Sequence, residues 1–348
     1  LSQQKTKSTW LKWMKLIAVA SFITSGLSLL PHDLWIFELF SHFHVQYLFM
    51  ALFSAIFFLF FKQYNWSVSM LLPIILNTVF ILPWYIGGAN QHDNIVGKIR
   101  VLESNVQRGN QACNKLLALI KQEKPDVVVL LEIDQQWAKA LKTLDTAYPY
   151  QYVFPQSDNF GIALFSRWPL ENIQNLELGR MPIASIKADM RLNDRTITIL
   201  ATHPVPPINN EFHQERNKQL QAIILLAQHQ RQKPLLVVGD LNTSMWSDDY
   251  QRLMQDSGLH NAREGFGIVP TWPATLPMLM IPLDHLLLSP QLSALSIHSA
   301  GNIASDHLPL IVELAVHGDK ALKSDQKVNQ KAVREQEPSL EEAGLSQS

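Results

Sequence analysis

The sequence predicts an α/β fold, two mixed β-sheets packed together with helices outside, preceded by N-terminal transmembrane helices. Three observations carry this. Short β-like runs at 99–102, 127–131, 197–201, 235–238 and 286–288 alternate with stretches that repeat apolar residues at helical spacing, 110–123, 212–231 and 247–257. The first third is dominated by Leu, Ile, Phe and Trp, whereas the residues after 316 turn to Lys, Glu, Gln and Ser without hydrophobic periodicity. At 348 residues the chain can hold one unit with a substantial two-sheet core plus appendages at both ends.

The N-terminal appendage divides into a basic segment, 1–15, and three apolar helices within 16–88. The charge-free stretches are 16–30, 39–61 and 66–88; the second and third approach the length of a hydrocarbon core. No small-x-small cleavage pattern follows the first, which favours a retained anchor over a cleaved signal. Lys5, Lys7, Lys12 and Lys15 precede the first span, and Lys62 lies in the short link after the second. That bias favours a cytoplasmic N-terminus and, with three spans, places the following unit across the membrane. If the first segment does not span, that unit returns to the cytoplasm.

Residues 89–97 read as a linker and 98–316 as the α/β unit, with Pro125-Asp126 marking the step from a helix into the strand 127–131. The segment 317–348 reads as a polar, disordered tail. No internal repeat is evident. The formal charge is −1 overall, and 98–316 has a slight acidic excess, which argues against a broad basic nucleic-acid platform. A single cysteine, Cys113, excludes an intrachain disulfide and makes a thiolate metal site a poor reading; it reads as a small buried residue in a helix.

Polar motifs follow or end the β-like runs in a fixed order: Asn105, Glu132, His203, Gly239-Asp240-Leu241-Asn242, Asp284 and Ser305-Asp306-His307. Loops at strand ends are where such groups can converge on one site. Hard oxygen ligands suit Mg2+, with Mn2+ as a substitute, and a phosphate ester needs its charge neutralised and its water positioned. Asp240 and Asn242, two apart, would face one side of an extended segment.

The order and wording of these motifs resemble the endonuclease/exonuclease/phosphatase superfamily, the deoxyribonuclease I-like enzymes, in a membrane-anchored, bacterial-type form. The match runs roughly over 98–316, supported by the phrases at 125–132, 160–167 and 305–309. The resemblance implies a four-layer sandwich. It implies metal contacts from Glu132, Asn105 and Asp306, with Asp240 positioning or deprotonating the attacking water and Asn242 holding a phosphate oxygen. Asp284 and His307 would form a carboxylate–imidazole pair, and His203 would contact phosphate or help protonate the leaving group. Asn159, Arg167 and Arg216 are weaker candidates for substrate contact. His213, His260, His285 and His298 lack metal-ligand spacing and read as structural; Trp246 and Trp272 read first as packing.

These features predict a membrane-anchored, divalent-metal-dependent phosphoester hydrolase, a phosphodiesterase with nuclease-like activity. The alternatives are a sphingomyelinase-like phospholipid phosphodiesterase or phosphatase, and a non-catalytic membrane-bound binding module. Expected partners are a nucleic acid or phospholipid headgroup and the bilayer itself, with no protein partner inferable. The expected location is a bacterial inner membrane, with the α/β unit on the periplasmic side.

Overall fold

A computed structural model of the protein describes residues 2–31, 35–87 and 94–318. Its N-terminal helices are α1 (Ser2–Leu27), α2 (Trp35–Ser41), α3 (His44–Phe60), α4 (Tyr64–Ser69) and α5 (Leu71–Ile81), the last running on into a 3-10 turn, Leu82–Tyr85. Met14 and Ala18 of α1 meet Phe58 of α3 and Met70, the residue joining α4 to α5, in a small apolar cluster. Nearer the α/β unit the same helices are tied by polar groups: Asn77 Nδ2 donates to Ser25 Oγ (2.9 Å), and its Oδ1 lies 2.8 Å from His44 Nδ1. Their outward faces carry Phe49, Phe53, Ile56, Leu59 and Phe60 on α3, and Leu71, Leu72, Ile75 and Val79 on α5, all more than half-exposed.

Three spans are more than these helices show by length and composition. Among the described residues only Tyr64–Tyr85 is long and apolar enough to cross a membrane, and α2 with α3 forms a second candidate bent by 57°. The expected first span, 16–30, runs three residues past the end of α1, whose helix begins at Ser2 and therefore takes in the lysines of the basic segment.

The α/β unit opens with β1 (Ile95–Asn105), followed by α6 (Cys113–Glu123), β2 (Val127–Leu131), α7 (Gln135–Leu141), β3 (Tyr150–Phe154), β4 (Ile162–Ser166), β5 (Leu170–Glu177), β6 (Ala184–Leu192) and β7 (Arg195–Ala201). Then come α8 (Asn210–His229), β8 (Leu235–Asp240), α9 (Asp248–Ser257), β9 (His260–Asn261), β10 (Asp284–Leu288), β11 (Leu292–Ser299) and β12 (Leu310–His317). The expected linker 89–97 gives its last three residues to β1, where Ile95 and Gly97 already pair with β12. The tail from 319 onward lies outside the described residues.

Two six-stranded sheets form, in the orders β11-β12-β1-β2-β4-β3 and β5-β6-β7-β8-β10-β9. The layering follows from strands that are apolar on both faces. On β2, Val127, Val129 and Leu131 enter the core between the sheets, while Val128 and Leu130 pack under α6 and α7. On β8, Leu236 and Val238 enter that same core, and Leu235 and Val237 meet α8. The result is a four-layer arrangement, helices, sheet, sheet, helices. Side-chain caps start α7, α8 and α9: Asp134, Asn209 and Ser247 accept from the backbone N–H of Trp137, Phe212 and Tyr250.

Parallel pairing of β1 with β2, and of β7 with β8, brings four strand C-termini to one end of the sandwich. Antiparallel pairing adds the N-terminal ends of β10 and β12, with Asp284 directly opposite Asp240. Every motif residue on a strand end therefore falls on one edge. The N-terminal helices attach close to this edge: Phe80, Ile81 and Trp84 pack on the cluster that contains Leu241, Met245 and Trp246, and Trp246 Nε1 donates to the carbonyl of Phe80 (3.0 Å). Gln46 Nε2 donates to the carbonyl of Met280 (3.0 Å).

Candidate active site

Asn105 ends β1 and bridges two carboxylates, its Nδ2 lying 3.0 Å from Glu132 Oε1 and 3.3 Å from Asp240 Oδ2. Its Oδ1 accepts from the backbone N–H of Gln107, and its carbonyl accepts from Ser305 Oγ at 2.8 Å. Glu132, the residue after β2, has a positive φ of 62° that turns the chain out of the strand. Its Oε2 accepts from the backbone N–H of Arg108 at 3.0 Å. Glu132 thus remains half-buried and held by amide donors, with no cationic side chain paired to it among the described residues.

Asp240 ends β8 and is almost fully buried. Its Oδ2 lies 3.6 Å from both His203 Nε2 and His307 Nε2, and its Oδ1 accepts from the backbone N–H of Asn242 at 2.9 Å. Asn242, at φ 50°, directs its Nδ2 to the carbonyl of Pro204 (2.9 Å), which ties this loop to the one bearing His203. Gly239, at φ 146°, allows close approach of the strand end: a Cβ there would lie 1.9 Å from the Thr202 carbonyl oxygen. On the other side of Asp240, His307 Nδ1 is 2.8 Å from Asp284 Oδ2. A Ser305 hydroxyl that accepts from the backbone N–H of His307 at 3.0 Å fixes that turn.

The electrostatics separate these groups. Burial pushes the Asp240 carboxyl up to about 6, with Asp284 adding to the effect and His307 and His203 opposing it. Burial works against a charged His307, yet Asp284 and then Asp240 outweigh it and hold the imidazolium up to about 10. Asp284 is desolvated too, but His307 keeps its carboxylate below the usual range. At neutral pH the pair is therefore ionic, with Nε2 of His307 free to face Asp240.

Asp306 sits at the rim, where its Oδ2 accepts from Trp272 Nε1 at 3.1 Å and its backbone N–H donates to Gln107 Oε1. Trp272 thus has a hydrogen-bond partner beside its packing. Asn159 is exposed in the turn before β4, next to Phe160, whose ring centroid is 5.5 Å from that of His203. Arg167 is not brought to the pocket: it follows the C-terminal end of antiparallel β4, beside Asp126 (3.8 Å) and over the Tyr148 ring, at the opposite end of the sheet. Nor is Arg216, which is completely buried against Glu38 and Asp249 and faces no substrate. His285 is structural as expected; burial and Arg263 push its imidazole down to about 3.

Sequence reasoning missed Glu103. It lies two residues before Asn105 on the same strand face, completely buried, and burial with Asp284 and Asp240 pushes its carboxyl well above the usual range. Period-two alternation from Asn105 was the available signal. Arg263, buried in the same interior, was missed as well; only its tertiary position marks it.

The model of the Endonuclease/Exonuclease/phosphatase family matches residues 102–307, which takes in every one of these pocket residues. The chain belongs to this family. Its members are typically phosphoester hydrolases and depend on a divalent metal. Solved structures of similar fold include humanized D. rerio TDP2 (16% identity, TM-score 0.55, covering 62% of this chain and 98% of that one). They also include the human Nocturnin catalytic domain with bound sulfate (22%, 0.53, 64% and 96%). A third is a Beutenbergia cavernae endonuclease/exonuclease/phosphatase (20%, 0.53, 64% and 72%). At these identities the likeness concerns the fold. A search of curated protein sequences returns no match.

The family's metal can be tested against the donors present. Asp240, Asp284 and His307 present ligand atoms within 4.8 Å of one another, but Asp284 and His307 already use theirs on each other. The better fit is Glu132: a half-buried carboxylate held by neutral amides beside Asn105, with no Lys or Arg side chain paired to it among the described residues. A carboxylate is the hard-oxygen donor a small divalent cation takes, and Asn105, which turns its Nδ2 to Glu132 and its Oδ1 to the Gln107 N–H, would add an oxygen only with its amide flipped.

Proposed function

We propose that the protein is a membrane-anchored, divalent-metal-dependent phosphodiesterase with nuclease-like activity. The observation that carries this reading is the Asp240 carboxylate set between two imidazoles, those of His203 and His307, and joined through Asn105 to Glu132. A cation held by Glu132, with Asn105 and Asp306 as further candidate contacts, would supply Lewis-acid stabilisation of charge on a phosphoryl oxygen. Asp240, ionised above about pH 6, orients the attacking water and takes its proton. His307, kept cationic by Asp284, holds a non-bridging phosphate oxygen. His203, on the other side of Asp240, faces the leaving oxygen, and Asn242 holds the loop that positions Asp240.

A nucleic-acid substrate is supported by the similar D. rerio TDP2 solved with a single-strand DNA product. One observation favours a phospholipid headgroup as a second reading. Leu276, Met278 and Leu279 are exposed at 55%, 88% and 47% on the segment that follows Trp272, the partner of Asp306. The lysine-bearing end of α1 meets the start of α4, with Lys15 Nζ 5.2 Å from the Trp66 ring, at the end of the helices remote from the catalytic pocket. A cytoplasmic lysine end with the catalytic domain, 98–316, across the membrane requires α1 to cross alongside α2–α3 and Tyr64–Tyr85, because two crossings alone return the domain to the lysine side.

The test is Mg2+-dependent hydrolysis of bis(p-nitrophenyl) phosphate, single-stranded DNA and phospholipid vesicles by the full chain, compared with Asp240→Asn. Wild type should turn over at least one phosphodiester, with a loss of about 100-fold or more in the variant. Equal rates would sink the role given to Asp240, and no hydrolysis of any of the three would sink the activity.

A further inference from the structure

Glu38 stands in an apolar N-terminal third, yet its side chain is completely buried in the α/β unit. Oε1 accepts from Arg216 Nη1 at 2.7 Å and from Thr243 Oγ1 at 2.9 Å. Oε2 accepts from Arg216 Nη2 at 2.5 Å and lies 3.0 Å from His213 Nε2. Asp249 Oδ2 is 3.4 Å from the same Arg216 nitrogen, so the guanidinium already supplies the cation between these carboxylates and leaves no role for a metal there. His42, on the next turn from Glu38, reaches Ser244 Oγ through Nδ1 at 2.8 Å. A two-pronged carboxylate–guanidinium contact fixes orientation as well as distance.

These contacts converge on three consecutive residues. Arg216 Nη1 donates to the carbonyl of Asn242 (3.1 Å), Glu38 takes the hydroxyl of Thr243, and His42 meets Ser244. Thr243 is further held by Ser247 Oγ (2.6 Å), and its carbonyl lies 2.9 Å from His285 Nε2. The held segment begins two residues after Asp240. Phe80, Ile81 and Trp84 already pack the helices on the α/β unit, and the buried carboxylate–guanidinium pair adds directional contacts to 242–244.

We propose that α2 is a positioning element of the catalytic pocket: Glu38, acting through Arg216 and Thr243, sets the backbone of 242–244 and with it the placement of Asp240 and Asn242. The N-terminal helices then contribute to the active site itself, and displacing them displaces its loop. Only the kinetic arm of the test rests on the phosphodiesterase reading.

The full chain in detergent is compared with Glu38→Gln, Thr243→Val and, as a docking contact remote from 242–244, Gln46→Ala. Amide hydrogen exchange over 241–247 should quicken by about tenfold or more in the first two, leaving β2 unchanged, and should not change in Gln46→Ala. With bis(p-nitrophenyl) phosphate, kcat should fall by about tenfold with KM within about twofold, and Arg216→Lys should retain more activity than Arg216→Met. Thr243→Val leaves the Glu38–Arg216 pair intact and, with Ser247→Ala as the control for the Thr243–Ser247 hydrogen bond it also removes, decides the matter if Glu38→Gln does not fold: exchange no faster than in Ser247→Ala counts against Glu38. Unaltered exchange at 241–247, or an equal change in Gln46→Ala, overturns the proposal. A wild type inactive on the ester would contradict the assigned activity, while the exchange result would still decide the positioning role.

Discussion

Three carboxyl groups, Glu103, Asp240 and Asp284, share one buried interior with the imidazole of His307 and the guanidinium of Arg263. Their pH behaviour follows from burial and neighbours. His307 has a folded value of about 10, above its ordinary 6.5, so its stabilising contribution is complete below about pH 6.5 and is lost as pH rises through 10. Chemical denaturation at pH 6 and pH 10 should show this loss, on the order of a few kcal/mol, and His307→Gln should flatten it. An unchanged pH dependence in the variant would remove the ionic pair from the account. Glu103 runs in the same direction. A carboxyl raised above its unfolded value binds its proton in the fold, so stability falls as pH rises above the ordinary range. Glu103→Gln, which keeps the shape and removes the titration, should be more stable than wild type at pH 8 and level with it at pH 4. Glu103 was hidden in the sequence because a charge inside a strand reads as its solvent face. Asn105, Glu132 and His203 were legible through the ordered motifs that resemble the family, with Glu132 and His203 also standing at or just beyond an apolar run.

Elements differed in legibility for a similar reason. β2 and β8 are covered on both faces, so their sequences are continuous apolar runs. β5 alternates between partial and full exposure along the sheet edge and carries no such signal. The helices α6, α8 and α9 showed their periodicity, and their limits moved by only a few residues. The bend between α2 and α3 was not visible in the charge-free stretch 39–61, because Glu38, just before it, is satisfied by Arg216 at a separation of 178 residues. Element-scale predictions are correspondingly simple. Asn209→Ala removes the cap of α8 and should cost about 1 kcal/mol. Leu236→Ala, in the core between the sheets, should cost about 2–5 kcal/mol. Equilibrium unfolding checks both, and a smaller loss for Leu236 than for Asn209 would misplace the core.

At the scale of the whole molecule, the sandwich places its candidate site edge close to the attachment of the N-terminal helices, and the outer faces of α3 and α5 expose a contiguous run of large apolar side chains, the kind of surface that marks an interaction site. If that surface meets a bilayer, the chain should leave cell membranes with detergent and stay with them in high salt; release by salt alone would contradict an anchored protein. In the proposed function, Glu132 and its neighbours would hold a hard divalent ion beside Asp240. The most direct test of that site is Mn2+ binding followed by electron paramagnetic resonance in wild type, Glu132→Ala and, as a remote control, Arg167→Ala. Bound Mn2+ in wild type and in Arg167→Ala, with affinity reduced by about tenfold or more in Glu132→Ala, is the predicted result; identical binding in all three proteins would contradict it.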